Sequence, residues 1–257
     1  PIMFRVTKAE ALPELPPLTI QEYWVDMTKE QENLYKAVKD GILQNAETGE
    51  FSYLEVIVQI TRMQQLLDSP ALLRELMGDP NLPIESGKLN ELRNVINDID
   101  PNRNKFILFS QYKEMTDILY KWMIDNNVLP KEQIGYVKGG IKATETERIR
   151  KEFQEGNMQC VIMTTAGNYG LDLSAGKYVI CFDQLFNPQK MEQFLSRGHR
   201  SGNTTGLTAI TLTTKDSYEE KKQALLERKR ELFKAMVDED EAAFMRLITP
   251  DDLMELL

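Results

Sequence analysis

The sequence predicts an α/β fold in which a doubly wound, mostly parallel sheet follows an N-terminal helical segment and precedes a long C-terminal helix. From about residue 86, short apolar runs alternate with amphipathic stretches, which is typical of a parallel sheet covered by helices. On both sides of this region, apolar residues recur mainly at helical spacing. The predicted organisation is a junction and helical segment over 1–85, a sheet domain over 86–215, and a helix with an acidic helical tail over 216–257.

The first 85 residues combine one extended stretch with two helices. Residues 11–27, ALPELPPLTIQEYWVDM, are rich in proline and then extended, which predicts a linker that leads into a strand. Thr28 is the predicted N-cap of a helix in which Leu34, Val38 and Ile42 lie at helical spacing. Residues 51–68, FSYLEVIVQITRMQQLLD, predict a second and more apolar helix.

The sheet domain contains strand and helix patterns in alternation. Strands are predicted at 105–109, 134–137, 159–163, 178–182 and 207–212. Helices are predicted near 112–126, 144–155 and 189–199, and a long charged helix with a mostly solvated surface over 217–236. Ligands of such sheets gather where the strands end, and three of the loops there offer hydroxyls or glycines that suit phosphate or sugar. Such a signal is weak for any single loop, because strand-to-helix turns commonly contain these residues.

Composition restricts the function classes. The formal net charge is -9, which argues against a generally basic surface that coats nucleic acid, so any contact to phosphate is expected to be local. No apolar run is long enough to span a bilayer, and the first residues lack the pattern of a signal peptide. Cys160 and Cys181 lie in apolar runs, which fits reduced thiols and a cytoplasmic protein. One histidine and two distant cysteines exclude a zinc site, and no metal ligand is predicted.

Two arginines stand close together in residues 192–203, EQFLSRGHRSGN. Arg197 and Arg200 share one face of a predicted helix, where like charges repel each other. One interpretation is a structural ion-pair cluster with carboxylates such as that of Glu192. The other is a site for phosphate, because planar guanidinium groups bind phosphate oxygens in pairs. The residues alone leave both interpretations open.

Motifs along most of the chain resemble those of the C-terminal RecA-like lobe of Swi/Snf-type DNA translocase ATPases, in helicase superfamily two. The most specific are TTAGNYGLDLSAGKYVICFDQLFNPQKMEQFLSRGHRSGN (164–203) and the start of TTKDSYEEKKQALLERKREL (213–232). SGKL (86–89) and FILFSQY (106–112) fit the same pattern. The resemblance covers residues 2 to about 236 and implies a RecA-like fold, with the helix after the last strand bracing two lobes.

The resemblance also implies roles for individual residues. Arg197 and Arg200 would be catalytic arginine fingers that reach the γ-phosphate of ATP. The residues implied to contact the nucleotide are Gly170, Asp172 and Gln193. Those implied to contact the DNA backbone are Ser110, Gln111, Gly139, Gly140 and Thr164. The sequence departs from the family pattern at Asp172, where asparagine is commoner, and at Thr146, where an arginine that contacts DNA is usual.

Half of the implied ATP site is missing from the sequence. No G-x-x-x-x-G-K-[ST] loop is present, and no strand ends in an Asp-Glu pair that could hold magnesium. We therefore expect a piece of a longer protein, in which an N-terminal helicase lobe binds most of ATP and Mg²⁺. That protein would be an ATPase stimulated by double-stranded DNA that remodels nucleoprotein complexes, whereas the isolated chain would be inactive. The alternatives are a non-catalytic protein-interaction module, whose acidic C-terminus would dock a partner, and a lobe of an RNA helicase.

Overall fold

The computed structural model describes residues 18–47, 53–164, 171–184, 191, 194–195, 206–234, 252 and 255–256. The strands are β1 (Leu18–Val25), β2 (Phe106–Phe109), β3 (Ile134–Val137), β4 (Cys160–Met163), β5 (Tyr178–Cys181) and β6 (Leu207–Thr214). The helices are α1 (Lys29–Glu47), α2 (Tyr53–Asp68), α3 (Arg74–Met77), α4 (Gly87–Ile99), α5 (Lys113–Asp125), α6 (Ala143–Glu155) and α7 (Tyr218–Lys234). Short 3₁₀ turns lie at Pro70–Leu73 and Lys131–Gln133.

The described strands form one six-stranded parallel sheet in the order β1-β6-β5-β2-β4-β3. β2 and β4 are buried along their whole length, as expected for strands that are covered by helices on both faces. The predicted α/β fold with a doubly wound parallel sheet is confirmed, and all five strands predicted after residue 86 are present. β3 has the predicted bounds.

The sheet also includes a strand from the first segment of the chain. β1 pairs with β6 over eight residues, from Leu18 with Leu207 to Val25 with Thr214. The proline-rich linker therefore leads into an edge strand of the sheet itself, although it precedes the predicted start of the sheet domain at residue 86. The local sequence pattern could not place β1 there, because β6, its partner among the described strands, is almost 190 residues later in the chain.

Three apolar clusters hold the elements together. Helices α4 and α5 pack on one face of the sheet around residues such as Leu92, Leu119 and Ile162. Helix α6, with Phe194 and Leu195, packs on the other face. The third cluster joins α1 and α2 to α7, and includes Ile42, Met63, Leu225 and Leu256. The N-terminal helices are thus tied to the helix that follows the last strand.

Two predicted helix features are observed in detail. Thr28 caps α1 through a reciprocal pair of bonds, since Gln31 N–H donates to Thr28 Oγ1 at 3.2 Å and Thr28 N–H donates to Gln31 Oε1 at 3.1 Å. The helices predicted near 112–126 and 144–155 are α5 and α6, with ends that agree within one residue. The helix predicted at 189–199 lies mostly outside the described residues, although 191, 194 and 195 are helical.

No helix among the described residues has both the length and the apolar character needed to cross a bilayer. Cys160 and Cys181 are free and buried. Burial raises the pKa of each thiol, so both are protonated near neutral pH.

Candidate nucleic-acid interface

The carboxyl edge of the sheet brings the residues predicted to contact DNA into one row. β4 lies between β2 and β3, and Met163 is in register with both Phe109 and Val137. Ser110 and Thr164 follow these strands directly, and Ser110 N–H donates to the carbonyl of Met163 at 3.2 Å. Gly139 and Gly140 follow β3 at the same edge. The three segments therefore end side by side, as the parallel topology requires.

The part of this edge after β3 is exposed to solvent. Gly139 and Gly140 are both exposed, and Gly140 has a φ of +84°, a left-handed conformation that glycine adopts without strain. Lys138 precedes them, with its ammonium 3.1 Å from Asp117 Oδ1 and above the ring of Tyr136. Exposed backbone and a surface ammonium are groups that can meet a phosphate after only small rearrangements.

The part after β2 and β4 is buried instead. The exposed fraction is 0% for Ser110 and 4% for Thr164, so neither side chain has much surface to offer to an external phosphate. Ser110 Oγ donates to Asp183 Oδ2, and Gln111 N–H donates to both oxygens of that carboxylate, at 3.0 and 3.1 Å. Gln111 itself is half-buried. Of the residues predicted after β2, Gln111 is the one that reaches the surface.

The residues predicted to meet the nucleotide are described only in part. Asp172 is half-buried, and its Oδ1 accepts a hydrogen bond from Ser174 N–H at 3.2 Å. Its carbonyl accepts from Gln154 Nε2 at 3.1 Å, which ties this loop to α6. A carboxylate is a suitable acceptor for ribose hydroxyl groups. Gly170, Gln193, Arg197 and Arg200 lie outside the described residues.

A buried cluster of charged groups lies beside the edge. Lys88 Nζ is 2.8 Å from Asp68 Oδ1 and 2.5 Å from Glu219 Oε1, and all three side chains have an exposed fraction of 0%. Burial lowers the pKa of Lys88, but the two carboxylates together raise it above its usual value. The ammonium is therefore charged and links α2, α4 and α7, the helices that carry the three groups.

The SGKL stretch explains how Lys88 reaches this position. Ser86 caps α4 by accepting from Leu89 N–H at 3.1 Å. Gly87 passes so close to β1 that a Cβ atom there would lie 1.9 Å from the carbonyl oxygen of Asp26. Gly87 N–H donates to Gln31 Oε1 at 2.8 Å, which joins the start of α4 to α1. Ser86, Gly87 and Lys88 thus each have a structural role at the start of α4.

Gln184 connects the same region to the helical segments. Its carbonyl oxygen accepts from Lys222 Nζ at 2.6 Å and from Gln64 Nε2 at 3.0 Å. Its side-chain amide donates to Thr213 Oγ1 at 2.7 Å. Burial lowers the pKa of Lys222 to about 7, against the opposing effect of Glu219 and Asp183.

The burial of charged residues in α7 corrects the predicted solvated surface of this helix. The predicted helix over 217–236 is α7, but its Glu219 and Lys222 are fully buried and do not lie on a solvated face. The first turn of α7 packs against α2 and the end of β6, which removes both side chains from water. No helix pattern could have indicated this burial.

Comparisons with known proteins agree with this architecture. The model of the helicase conserved C-terminal domain family matches residues 87–202. An uncharacterized ATP-dependent helicase of Mycoplasma genitalium is 26% identical over 261 residues, which cover 100% of this chain and 24% of the relative. The chain thus spans about a quarter or less of the length of the curated relatives it matches.

Two solved structures from Sulfolobus solfataricus share the fold. The SWI2/SNF2 ATPase C-terminal domain aligns with a TM-score of 0.70 and 20% identity, over 94% of this chain and 98% of that one. The SWI2/SNF2 ATPase core in complex with dsDNA aligns with a TM-score of 0.76 and 22% identity, over 94% of this chain and 50% of that one.

Proposed function

We propose that the chain, whose residues 87–202 match the helicase conserved C-terminal domain family, is the C-terminal lobe of a Swi/Snf-type ATPase. In this proposal the ATPase is stimulated by double-stranded DNA, moves along duplex and remodels nucleoprotein complexes. The observation that supports this most is that Gln111, Gly139 and Gly140 reach the surface along one edge of the sheet, beside the buried Ser110 and Thr164. The dsDNA in the complex of the structural relative supports the same kind of ligand.

In this proposal the chain supplies half of the ATP site. Arg197 and Arg200 neutralise charge on the γ-phosphate, and Asp172 accepts a hydrogen bond from the ribose. ATP with Mg²⁺ supplies the phosphoryl group that water attacks. An N-terminal helicase lobe in a longer protein holds most of the nucleotide and the metal ion. Planar guanidinium groups suit the task, because charge accumulates on the equatorial oxygens of the transferred phosphoryl group.

The test is Arg200→Ala in the longer protein that carries both lobes. We expect ATP turnover with saturating duplex to fall on the order of a thousandfold, the scale of removing an arginine finger. The melting temperature and the affinity for duplex should stay nearly unchanged. Arg200→Lys should restore little, because an ammonium keeps the charge but loses the planar fork.

Other outcomes identify the alternatives. If Arg200→Ala lowers the melting temperature and reduces turnover only in proportion, the arginines form a structural ion-pair cluster. Stronger stimulation of the wild-type protein by RNA than by duplex DNA would indicate an RNA helicase, and a folded protein without ATPase activity would indicate an interaction module. The 257-residue chain alone should hydrolyse no ATP above background, since it lacks a phosphate-binding loop.

A further inference from the structure

The carboxylate of Asp183 joins the ends of two neighbouring strands. Phe109 and Cys181 are in register between β2 and β5, and Phe182 N–H donates to the carbonyl of Phe109 at 2.9 Å. One residue further along, Asp183 therefore lies beside the turn that follows β2. Its exposed fraction is 0%, so the carboxylate faces the protein interior.

The turn after β2 is built on this carboxylate. Both oxygens of Asp183 receive the backbone N–H of Gln111, and one also receives the hydroxyl of Ser110. Ser110 Oγ in turn accepts from Tyr112 N–H at 3.2 Å. One carboxylate thus fixes the backbone of three consecutive residues before α5 begins at Lys113.

Gln111 is the residue of this turn that can leave its present contact most cheaply. Its side-chain amide donates to the carbonyl of Gln184 at 3.5 Å, the long limit of a hydrogen bond. The hydroxyl of Ser110, in contrast, is fully buried and engaged with a charged acceptor. An exchange of the Gln111 contact for a phosphate oxygen costs far less than exposure of Ser110.

We infer that Asp183 is a positioning residue for DNA binding, which holds the turn at 110–112 so that Gln111 makes the contact to the backbone of the duplex while Ser110 stays inside. The inference rests on the proposed function and deepens it. Asp183 touches no ligand and acts only through the turn. Burial raises its pKa, which the donors Ser110 and Gln111 and the cations Lys88 and Lys222 oppose.

A matched control separates this role from simple stability. Asp68 is a second carboxylate with an exposed fraction of 0%, but it ends α2 and binds Lys88, with no hydrogen bond to the turn. Asp183→Asn and Asp68→Asn each replace one buried carboxylate by an amide of the same shape. Both variants should lose stability, because each removes a charged acceptor from buried donors. Only Asp183→Asn should disturb the turn.

The first measurement is amide hydrogen exchange of Gln111 in the 257-residue chain under native conditions. Asparagine offers one acceptor oxygen in place of two, so Asp183→Asn should raise the exchange rate of this amide by about tenfold, the scale of one lost bond to a charged group. Asp68→Asn should leave the rate within about twofold, since the hydrogen bonds of the turn persist. Ser110→Ala deletes only the hydroxyl and should give a smaller rise, which keeps the test available if Asp183→Asn fails to fold.

The second measurement uses the longer protein and a fluorescein-labelled duplex. For Asp183→Asn the duplex concentration that half-maximally stimulates ATPase should rise about tenfold, with kcat at saturating duplex within about twofold of wild type. Equal shifts in Asp183→Asn and Asp68→Asn would overturn the inference and leave Asp183 a structural residue. So would an unchanged Gln111 exchange rate. If the wild-type protein neither binds duplex nor responds to it, the proposed function fails and this inference with it.

Discussion

The loop after β3 and the loops after β2 and β5 are the two halves of the same carboxyl edge of the sheet, but they differ in burial. After β3, the polar groups are exposed, and the side chain of Lys138 has an exposed fraction of 40% beside the carboxylate of Asp117. After β2 and β5, Ser110, Asp183 and Gln184 are buried and bonded to one another or to α2 and α7. The exposed half is suited to contact a ligand directly. The buried half can affect a ligand only through the groups that it holds in place.

This difference follows from what covers each half. Helices α2 and α7 pack beside the β5 and β2 end and bring Gln64, Glu219 and Lys222 to the interior. β3 is the opposite edge strand of the described sheet, so no further strand of that sheet lies beside the loop after it. Substitutions in the buried half should therefore lower stability and affect the affinity for duplex only where they disturb the turn at 110–112, whereas those in the exposed half should mainly lower affinity for duplex.

The largest expected effect is on stability, in Lys88→Met. Methionine fills a similar volume but leaves Asp68 and Glu219 buried without the ammonium that bonds to both. The free energy of unfolding, measured with urea, should fall by about 3–5 kcal/mol, as for other broken buried ion pairs. Lys138→Met breaks the exposed pair with Asp117 and should cost below about 1 kcal/mol. Similar losses in the two variants would contradict the division of the edge into a buried and an exposed half.

An intermediate effect is expected from the pH dependence of Lys222. Its folded pKa of about 7 lies below its ordinary value of 10.5, so above pH 7 the unfolded chain binds more protons than the folded one. The contribution of Lys222 to the free energy of unfolding should therefore rise with pH above 7, by at most about 1.4 kcal/mol per pH unit. Below pH 7 both states are protonated and the contribution is constant.

The corresponding measurement compares wild type with Lys222→Met by urea unfolding between pH 6 and pH 9. The difference in unfolding free energy, wild type minus variant, should be flat at first and then increase. Lys131→Met is the control, because Lys131 is exposed and far from the buried cluster, and its difference from wild type should not change with pH. A difference for Lys222→Met that stays flat up to pH 9 would show that the lysine remains charged in the folded chain.

The sequence predicted the inner strands of the sheet well because they are covered by helices on both faces. Residues such as those of FILF and CVIM form continuous apolar runs between turn residues, a pattern that needs no knowledge of distant partners. The position of Ser110, Thr164, Gly139 and Gly140 at one edge followed from the parallel topology alone.

The interior of the candidate site could not be predicted in the same way. Lys88 and Glu219 are 131 residues apart in the chain, and Ser110 and Asp183 are 73 apart. Helix α7 begins with charged residues that any helical pattern assigns to solvent, and only packing against α2 shows that two of them are buried. Burial of Ser110 is likewise a property of its neighbours. The motif placed Ser110 at the carboxyl edge of the sheet but did not indicate that its hydroxyl donates to Asp183 in the interior.

The smallest effect on the fold, and the most direct on binding, is expected from Lys138→Met. Lys138 directly follows β3, at the carboxyl ends of the strands. Lys131 lies three residues before β3 begins, at the amino end of the same strand. Both lysines are at the surface, so the two variants change the net charge equally and have small effects on stability. If the carboxyl edge meets a duplex, only Lys138→Met should weaken binding of the 257-residue chain to a labelled duplex. It should also reduce the slope of log affinity against log salt by about one, as for one lost phosphate contact. Equal losses in Lys138→Met and Lys131→Met would mean that the chain responds only to net charge, and the carboxyl edge would then not be the surface that contacts DNA.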